Sequence, residues 1–360
     1  MPTRLVIHWR GSSSLETHRE LLRILAEKHS YQILHLVEAT DPPGKDSPGI
    51  NHFTVHGRLR FHPTVRILTG WKEMVSEFQP DVFLGLDEPY CIQTAIFHSW
   101  CKNRSVPFLF YSAQNIDRAL PPPFGWIERR VLSNAQAAWF LSEDVAVRCR
   151  RRGFEGAGSV IPLGVDPSRF ARTENVPSIT HREPFTVGYI GRLVPEKGVS
   201  DLIGACAQAG VRLLVAGAGP DRTHLERLAN QEGGTVEWLG EIPEDNVPAV
   251  LHQMDVLVLP SRTTRTWREQ FGRVLVEAMA AGVPVIGSDS GEIPRTIGDA
   301  GLIFPEGDIN ILSDHIMQLR DSLEFTDKIK DMALDRVIGQ FTWDCVAVKL
   351  DAIIRKVLHP

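Results

Sequence analysis

Two apolar runs, Val256-Leu257-Val258-Leu259 and Val283-Pro284-Val285-Ile286-Gly287, bracket a segment with the hydrophobic period of a helix. Phe271, Val274, Leu275 and Ala278 stand at i, i+3, i+4 and i+7, which predicts a helix over Phe271–Ala281. Gly282 is placed to end it, because glycine adopts the left-handed conformation a helix stop requires. A strand that returns to a neighbouring strand through a helix joins it in parallel. The segment therefore commits this part of the chain to a parallel α/β sheet, in which ligands bind beyond the carboxyl ends of the strands.

The same alternation recurs along the chain. Strands are predicted at Leu5–Trp9, Gln32–Val37, Phe53–His56, Val82–Leu86, Phe108–Tyr111, Ala137–Leu141 and Ser159–Ile161. Further strands are predicted at Thr186–Ile190, Val211–Ala216 and Val236–Leu239. Helical stretches lie between most of them, so the fold class is α/β with doubly wound parallel sheets. A helix is predicted from Leu15 to Lys28, with Ser13 and Glu16 at capping-box spacing. Pro121-Pro122-Pro123 reads as a stiff connector before a helix near Phe124, whose Phe124 and Trp126 are expected to pack rather than to meet lipid. The polar stretch 171–184, bounded by Pro177 and Pro184, reads as a linker. The expected domains are then 1–170 and 185–340. A last amphipathic helix, Trp343–Leu358 within the segment 341–360, carries Val346, Leu350, Ile353, Ile354 and Val357 on one side.

A chain of 360 residues, 43% hydrophobic and 23% charged, can build two such domains. The strand that starts by Leu5 leaves no room for an apolar leader, and no run is long enough to span a bilayer, so a cytoplasmic protein is expected. Five widely spaced cysteines, without a C-x-x-C pair, argue against a disulfide framework or zinc site. Residues 1–170 hold 20 Lys and Arg against 17 Asp and Glu, and residues 171–360 hold 19 against 27. The acidic balance speaks against a nucleic-acid partner. Arg148, Arg150, Arg151 and Arg152 are the densest basic cluster. They read first as a solvated helix end and second as a point of peripheral membrane contact, at the inner face of the membrane, through the first domain.

Several residues could carry chemistry. Glu269 and Glu277 form an E-x7-E pair, the first in the loop before the predicted helix and the second two turns inside it. The N–H groups of Gln270, Phe271, Gly272 and Arg273 are expected to point out of the helix start toward an anion. Glu277, on an otherwise small and apolar helix, needs partners for its charge, and sugar hydroxyls would serve. After Ile190 comes Gly191-Arg192-Leu193-Val194-Pro195-Glu196-Lys197-Gly198, a glycine-punctuated loop that can aim Arg192 and Lys197 at one diphosphate. Gly217-Ala218-Gly219 follows another strand, but Arg222 stands where a dinucleotide fingerprint has its third glycine, so nicotinamide binding is rejected. No Asp-x-Asp motif occurs, and no metal is required.

Taken singly these motifs match by chance. Taken together, IPLGVD with Phe170, GRLVPEKG, LLVAGAGP and the sentence Glu269–Ile297 closely resemble the retaining family-4 glycosyltransferases with the GT-B fold. The resemblance is clearest from Val160 onward. It implies two Rossmann-like domains facing across a cleft, donor nucleotide sugar mainly on the second, acceptor on the first, and the last helix packed back on the first. It further implies that Arg192 and Lys197 neutralise the diphosphate, that Glu269 holds hydroxyls of the transferred sugar with Phe271 and Gly272 beside it, that Glu277 holds the ribose, and that Gly217–Gly219 pass near the base. The activity implied is transfer from a nucleotide-diphosphate sugar to a glycan, lipid-linked or small-molecule acceptor, in the setting of polysaccharide biosynthesis. The first domain departs from the pattern: Gly11-Ser12 stands for a glycine pair, and Gln114 stands where a histidine is common. Trp9, Arg10, Gly11, Ser12, His18 and Gln114 are the expected acceptor-side residues. Two alternatives remain open from the sequence: a non-catalytic sugar-nucleotide or glycan-binding protein, and a sugar-nucleotide epimerase of the same fold.

Overall fold

The structure, a computed structural model, describes residues 2–9, 15–40, 47–58, 63–171 and 184–359, with the side chains of 15–18, 58 and 63 left aside. The predicted linker and the Ser13 cap lie outside these residues. The chain divides into two compact units, Met1–Gly164 with Trp343–Pro360, and Val165–Thr342. The division falls a few residues before the boundary read from the sequence. Val165 donates its N–H to Phe341 O, and the His252 ring nitrogen meets Phe170 O at 2.9 Å, so this short stretch packs with the second unit.

In the first unit the described strands are β1 (Thr3–Trp9), β2 (Tyr31–Glu38), β3 (Ile50–Arg58), β4 (Ile67–Thr69), β5 (Val82–Leu86), β6 (Phe108–Ser112), β7 (Ala137–Phe140) and β8 (Ala157–Val160). They form one sheet in the order β4-β3-β2-β1-β5-β6-β7-β8. All pairs are parallel except β3 with β4, so the fully parallel sheet expected from the sequence gains an antiparallel edge strand. β4 was missed because three residues carry no readable period.

Alternation along β1 sends Leu5 and Ile7 to one face and Val6 to the other. The Leu5 face is covered by the helix Leu15–His29 and by the last helix, Trp343–Leu358, whose Val346, Leu350 and Ile354 are buried there. The Val6 face holds Trp71, Phe83, Phe97 and Phe110. Tyr31 donates its hydroxyl to Asp351 at 2.8 Å, which ties the last helix to β2. Gly164 lies under the Trp343 ring, where a Cβ would fall 2.3 Å from a ring carbon.

The second unit holds β9 (Thr186–Ile190), β10 (Arg212–Ala216), β11 (Val236–Gly240), β12 (Val256–Leu259), β13 (Val285–Ser288) and β14 (Leu302–Phe304). Their order is β11-β10-β9-β12-β13-β14, all parallel. Strand order thus reverses between β9 and β12, and in the first unit between β1 and β5. Such a switch point splays the two flanking loops apart and leaves a crevice at the carboxyl edge.

Candidate functional site

In the second unit the loops that flank the switch point are those after β9 and after β12. They carry Arg192 with Lys197 and Glu269 respectively, so topology alone brings together two segments about seventy residues apart. Lys197 Nζ lies 2.6 Å from Glu269 Oε2, and the buried Ser261 hydroxyl donates to the same oxygen at 2.8 Å. Trp267 covers the ammonium, with its ring centroid 4.8 Å from Nζ. Glu269 is only 7% exposed, so its charge needs these two donors.

The backbone around this pair is held by close approaches. At Gly198, φ +63, a Cβ would fall 2.0 Å from Pro260 O, and the Arg262 N–H reaches Glu196 O at 2.8 Å. These contacts dock the Lys197 turn onto the loop after β12. Gly291, φ +57, leaves room for Glu269 O, which also accepts the Glu292 N–H at 3.2 Å. Arg192 is exposed, and its carbonyl accepts the Tyr189 hydroxyl at 2.8 Å. Burial raises the Tyr189 phenol, the Glu269 charge adds to the rise, and Arg192 opposes it. That phenol therefore lies within electrostatic reach of both.

Gly217 and Gly219 serve the backbone. A Cβ on Gly217 would fall 1.8 Å from Gly191 O, and one on Gly219 would fall 2.1 Å from Leu193 O. The Leu193 N–H donates to Ala218 O at 2.9 Å, so the two loops lie against each other and the glycines set the height of the Arg192 loop.

The helix after Glu269 differs from the expectation. It runs Arg273–Ala280, with Gly272 in the left-handed region at φ 79 as its N-cap. Gln270, Phe271 and Gly272 are loop residues, and the first-turn N–H groups begin at Arg273. The hydrophobic period extended back to Phe271 because that side chain is buried beside Phe341, their ring centroids 5.9 Å apart, without being helical. Glu277 also differs. Its partner in the protein is Arg273, Nε to Oε1 at 2.5 Å, and Arg273 pairs as well with Glu244. The i,i+4 spacing of Arg273 and Glu277 was legible in the sequence. Burial raises the Glu277 carboxyl and Arg273 opposes the rise. Ser261, Glu244, Tyr189 and Gly291 were not singled out from sequence. Only Ser261 had a readable signal, as the first polar residue beyond β12.

Residues 172–335 match the family model described as Glycosyl transferases group 1. The second unit belongs to that family. The chain is similar to the "GDP-mannose-dependent alpha-(1-6)-phosphatidylinositol monomannoside mannosyltransferase" of Mycobacterium tuberculosis, 32% identical over 211 residues, 54% of this chain and 55% of that protein. It is also similar to the "2-deoxystreptamine glucosyltransferase" of Streptomyces kanamyceticus, 29% identical over 231 residues, 59% of this chain and 58% of that protein. The chain thus spans little more than half the length of these curated relatives. The sucrose-phosphate synthase structure from Thermosynechococcus elongatus matches with a TM-score of 0.74 at 20% identity, covering 99% of each chain. The architecture is the GT-B fold: two Rossmann-like parallel-sheet domains.

Residues expected on the acceptor side belong to the first unit. Arg10, Gly11 and Ser12 lie outside the described residues, as does the side chain of His18, whose backbone is in the helix Leu15–His29. Trp9 ends β1 and packs edge-on against Trp139, centroids 5.7 Å apart. Gln114 turns its carbonyl to the Ile116 N–H at 3.2 Å, within its own loop.

The reading of Arg148 as part of a solvated helix end is overturned. Arg148 is 3% exposed, pairs with buried Glu128 at 2.6 Å and donates to Ile116 O at 3.2 Å. Arg152 joins Glu128 to Asp117 and to Arg118 O. These arginines brace the Gln114 loop. Trp126, expected to pack, is 60% exposed, with the Arg130 guanidinium 5.5 Å from its ring centroid. Among the described residues no group of three or more His, Cys, Asp or Glu is placed to hold a metal ion, and no helix is long and apolar enough to cross a membrane.

Proposed function

We propose that this chain is a retaining glycosyltransferase that moves a sugar from a nucleotide-diphosphate donor to a hydroxyl of a glycan, lipid-linked or small-molecule acceptor, without a divalent metal. The observation that carries the reading is the convergence of Lys197 and Ser261 on Glu269 where the loops after β9 and β12 meet. A half-buried ammonium and a nearby guanidinium on glycine-shaped loops suit a diphosphate leaving group. A carboxylate beside them suits sugar hydroxyls.

In the reaction the acceptor oxygen bonds to the anomeric carbon and the bond from that carbon to the diphosphate breaks. The bonding electrons pass to the diphosphate, which takes the acceptor proton. Arg192 and Lys197 face the charge that grows on the leaving group, and fixed charges of this kind usually supply the largest share of rate enhancement. In the free protein Lys197 is neutralised by Glu269, so donor binding exchanges one anion for another. Glu269 is then released to accept hydroxyls of the transferred sugar. Arg273 holds Glu277 at the second acid position, where it is offered to ribose hydroxyls.

The relatives named for mannosyl and glucosyl transfer support the reaction class, and their acceptors differ from each other. Donor sugar, base and acceptor are therefore to be found by a panel. Nucleoside diphosphate release is measured from GDP-mannose, UDP-glucose and UDP-N-acetylglucosamine, with and without acceptor. Acceptor-dependent release that disappears in Lys197→Ala is expected. A donor that stabilises the fold against heat yet releases nothing would make the chain a binding protein, and conversion of the donor sugar without acceptor would make it an epimerase.

A further inference from the structure

The sheet of the first unit has its own switch point, between β1 and β5. β5 ends at Leu86, and Asp87 and Glu88 follow at once, at the carboxyl edge where a ligand meets such a sheet. Glu88 is held from the end of the neighbouring strand β6. Its Oε1 accepts the Ala113 N–H and its Oε2 accepts the Ser112 hydroxyl, each at 2.7 Å. These two bonds fix the carboxylate plane and leave each oxygen a lone pair. The residue is partly exposed, between buried Asp87 and Pro89, and its carboxyl group lies at the inner end of the side chain. The donor chemistry described above makes no use of it.

We propose that Glu88 is an acceptor-binding residue, whose ionised carboxylate takes a hydrogen bond from a hydroxyl of a neutral sugar or cyclitol. This rests on the transferase reading of the second unit. Adjacent Asp87 and Glu88 disfavour a phosphate at this place and favour an uncharged polyol. Burial pushes the Glu88 carboxyl up to about 7. The Ala113 and Ser112 bonds oppose the rise, Asp87 adds to it and Arg148 opposes it. The other titratable groups around it are Tyr90, Tyr111 and Cys149, each raised by burial first and by the Glu88 charge second, so they stay neutral through this range. The carboxylate is therefore lost as pH falls through about 7, and acceptor affinity falls with it.

Glu88→Gln tests this with both anchors kept, since the amide oxygen can accept from Ala113 and the amide nitrogen can donate to Ser112 Oγ. Nucleoside diphosphate release is measured from pH 6 to 8.5 with GDP-mannose or UDP-glucose as donor and n-octyl α-D-mannoside or myo-inositol as acceptor probe. The variant is expected to raise acceptor KM about tenfold or more, the scale of a lost bond to a charged group, with donor KM unchanged. Wild-type acceptor KM is expected to rise as pH falls through about 7, and this limb is expected to be absent in the variant. An unchanged acceptor KM, or a wild type with no such limb, overturns the assignment of Glu88 and leaves the transferase reading standing. Equal loss of kcat with every substrate and an unaltered limb makes Glu88 structural and overturns it too. Release by the wild type no greater than that by Lys197→Ala, with every probe pair, removes both readings together.

Discussion

Lys197 and Glu269 meet at 2.6 Å, although 72 residues separate them in the chain. They are 14% and 10% exposed at the side chain, with the Ser261 hydroxyl as a third member and the Trp267 ring as a cover. Neither charge can be removed without leaving the other short of a partner in a poorly hydrated place.

Lys197→Ala and Glu269→Ala are each expected to lower transfer by about 100-fold or more, the scale seen when one preorganised charged group is lost. The double variant is expected to lose much less than the product of the two, because the groups act on each other. Steady-state rates of the three variants check this. Near-normal turnover in both single variants would take the pair out of the site.

Transfer is expected to persist in excess EDTA after dialysis, since the proposed chemistry places Lys197 and Arg192, not a cation, against the diphosphate. Complete loss in chelator, restored by magnesium or manganese, would contradict it.

Gly217→Ala is expected to destabilise the second unit by about 2 to 4 kcal/mol, because its Cβ would meet the Gly191 carbonyl and φ of +146 suits no L side chain. Gly210→Ala, at φ +65 with nothing within 4 Å, is expected to cost about 1 kcal/mol. Urea unfolding midpoints compare the two. Equal losses would mean that the Gly191–Gly217 approach is not a tight contact.

Asp351 gives a pH-dependent prediction for the first unit. Burial raises its carboxyl, but hydrogen bonds from Arg355 and Tyr31 outweigh that and hold it below its usual value of 3.8. A folded-state value below the unfolded one adds stability that is present above the unfolded value and lost as pH falls through the folded one. Asp351→Asn is therefore expected to be less stable than wild type at pH 7 and to approach it below pH 3. A stability difference that stays constant with pH would show that the carboxylate charge contributes nothing there.

Much of the fold was legible. The strands Thr186–Ile190, Val82–Leu86 and Val256–Leu259 and the last helix, Trp343–Leu358, were read to the residue, because each has a strong local period and a clear stop. β4 and β14 were not, since a three-residue strand is defined by the neighbour it pairs with. The helix start was misplaced because burial of Phe271 looks the same in sequence whether its cause is a helix or a loop seated on Phe341. Arg148 was misread because a run of arginines at a helix end does not show that Glu128, on another helix, lies buried against one of them.

From residue order alone came the α/β class, the two parallel sheets and the candidate acids and cations, because hydrophobic period, glycine stops and motif spacing are properties of near neighbours. Tertiary structure decided which charges meet. Lys197 reaches Glu269 only because strand order reverses between β9 and β12, and Glu88 gains its anchors only because β6 lies beside β5. A Coulomb or hydrogen-bond contact acts over a few ångströms, and distance along the chain does not reveal distance in space.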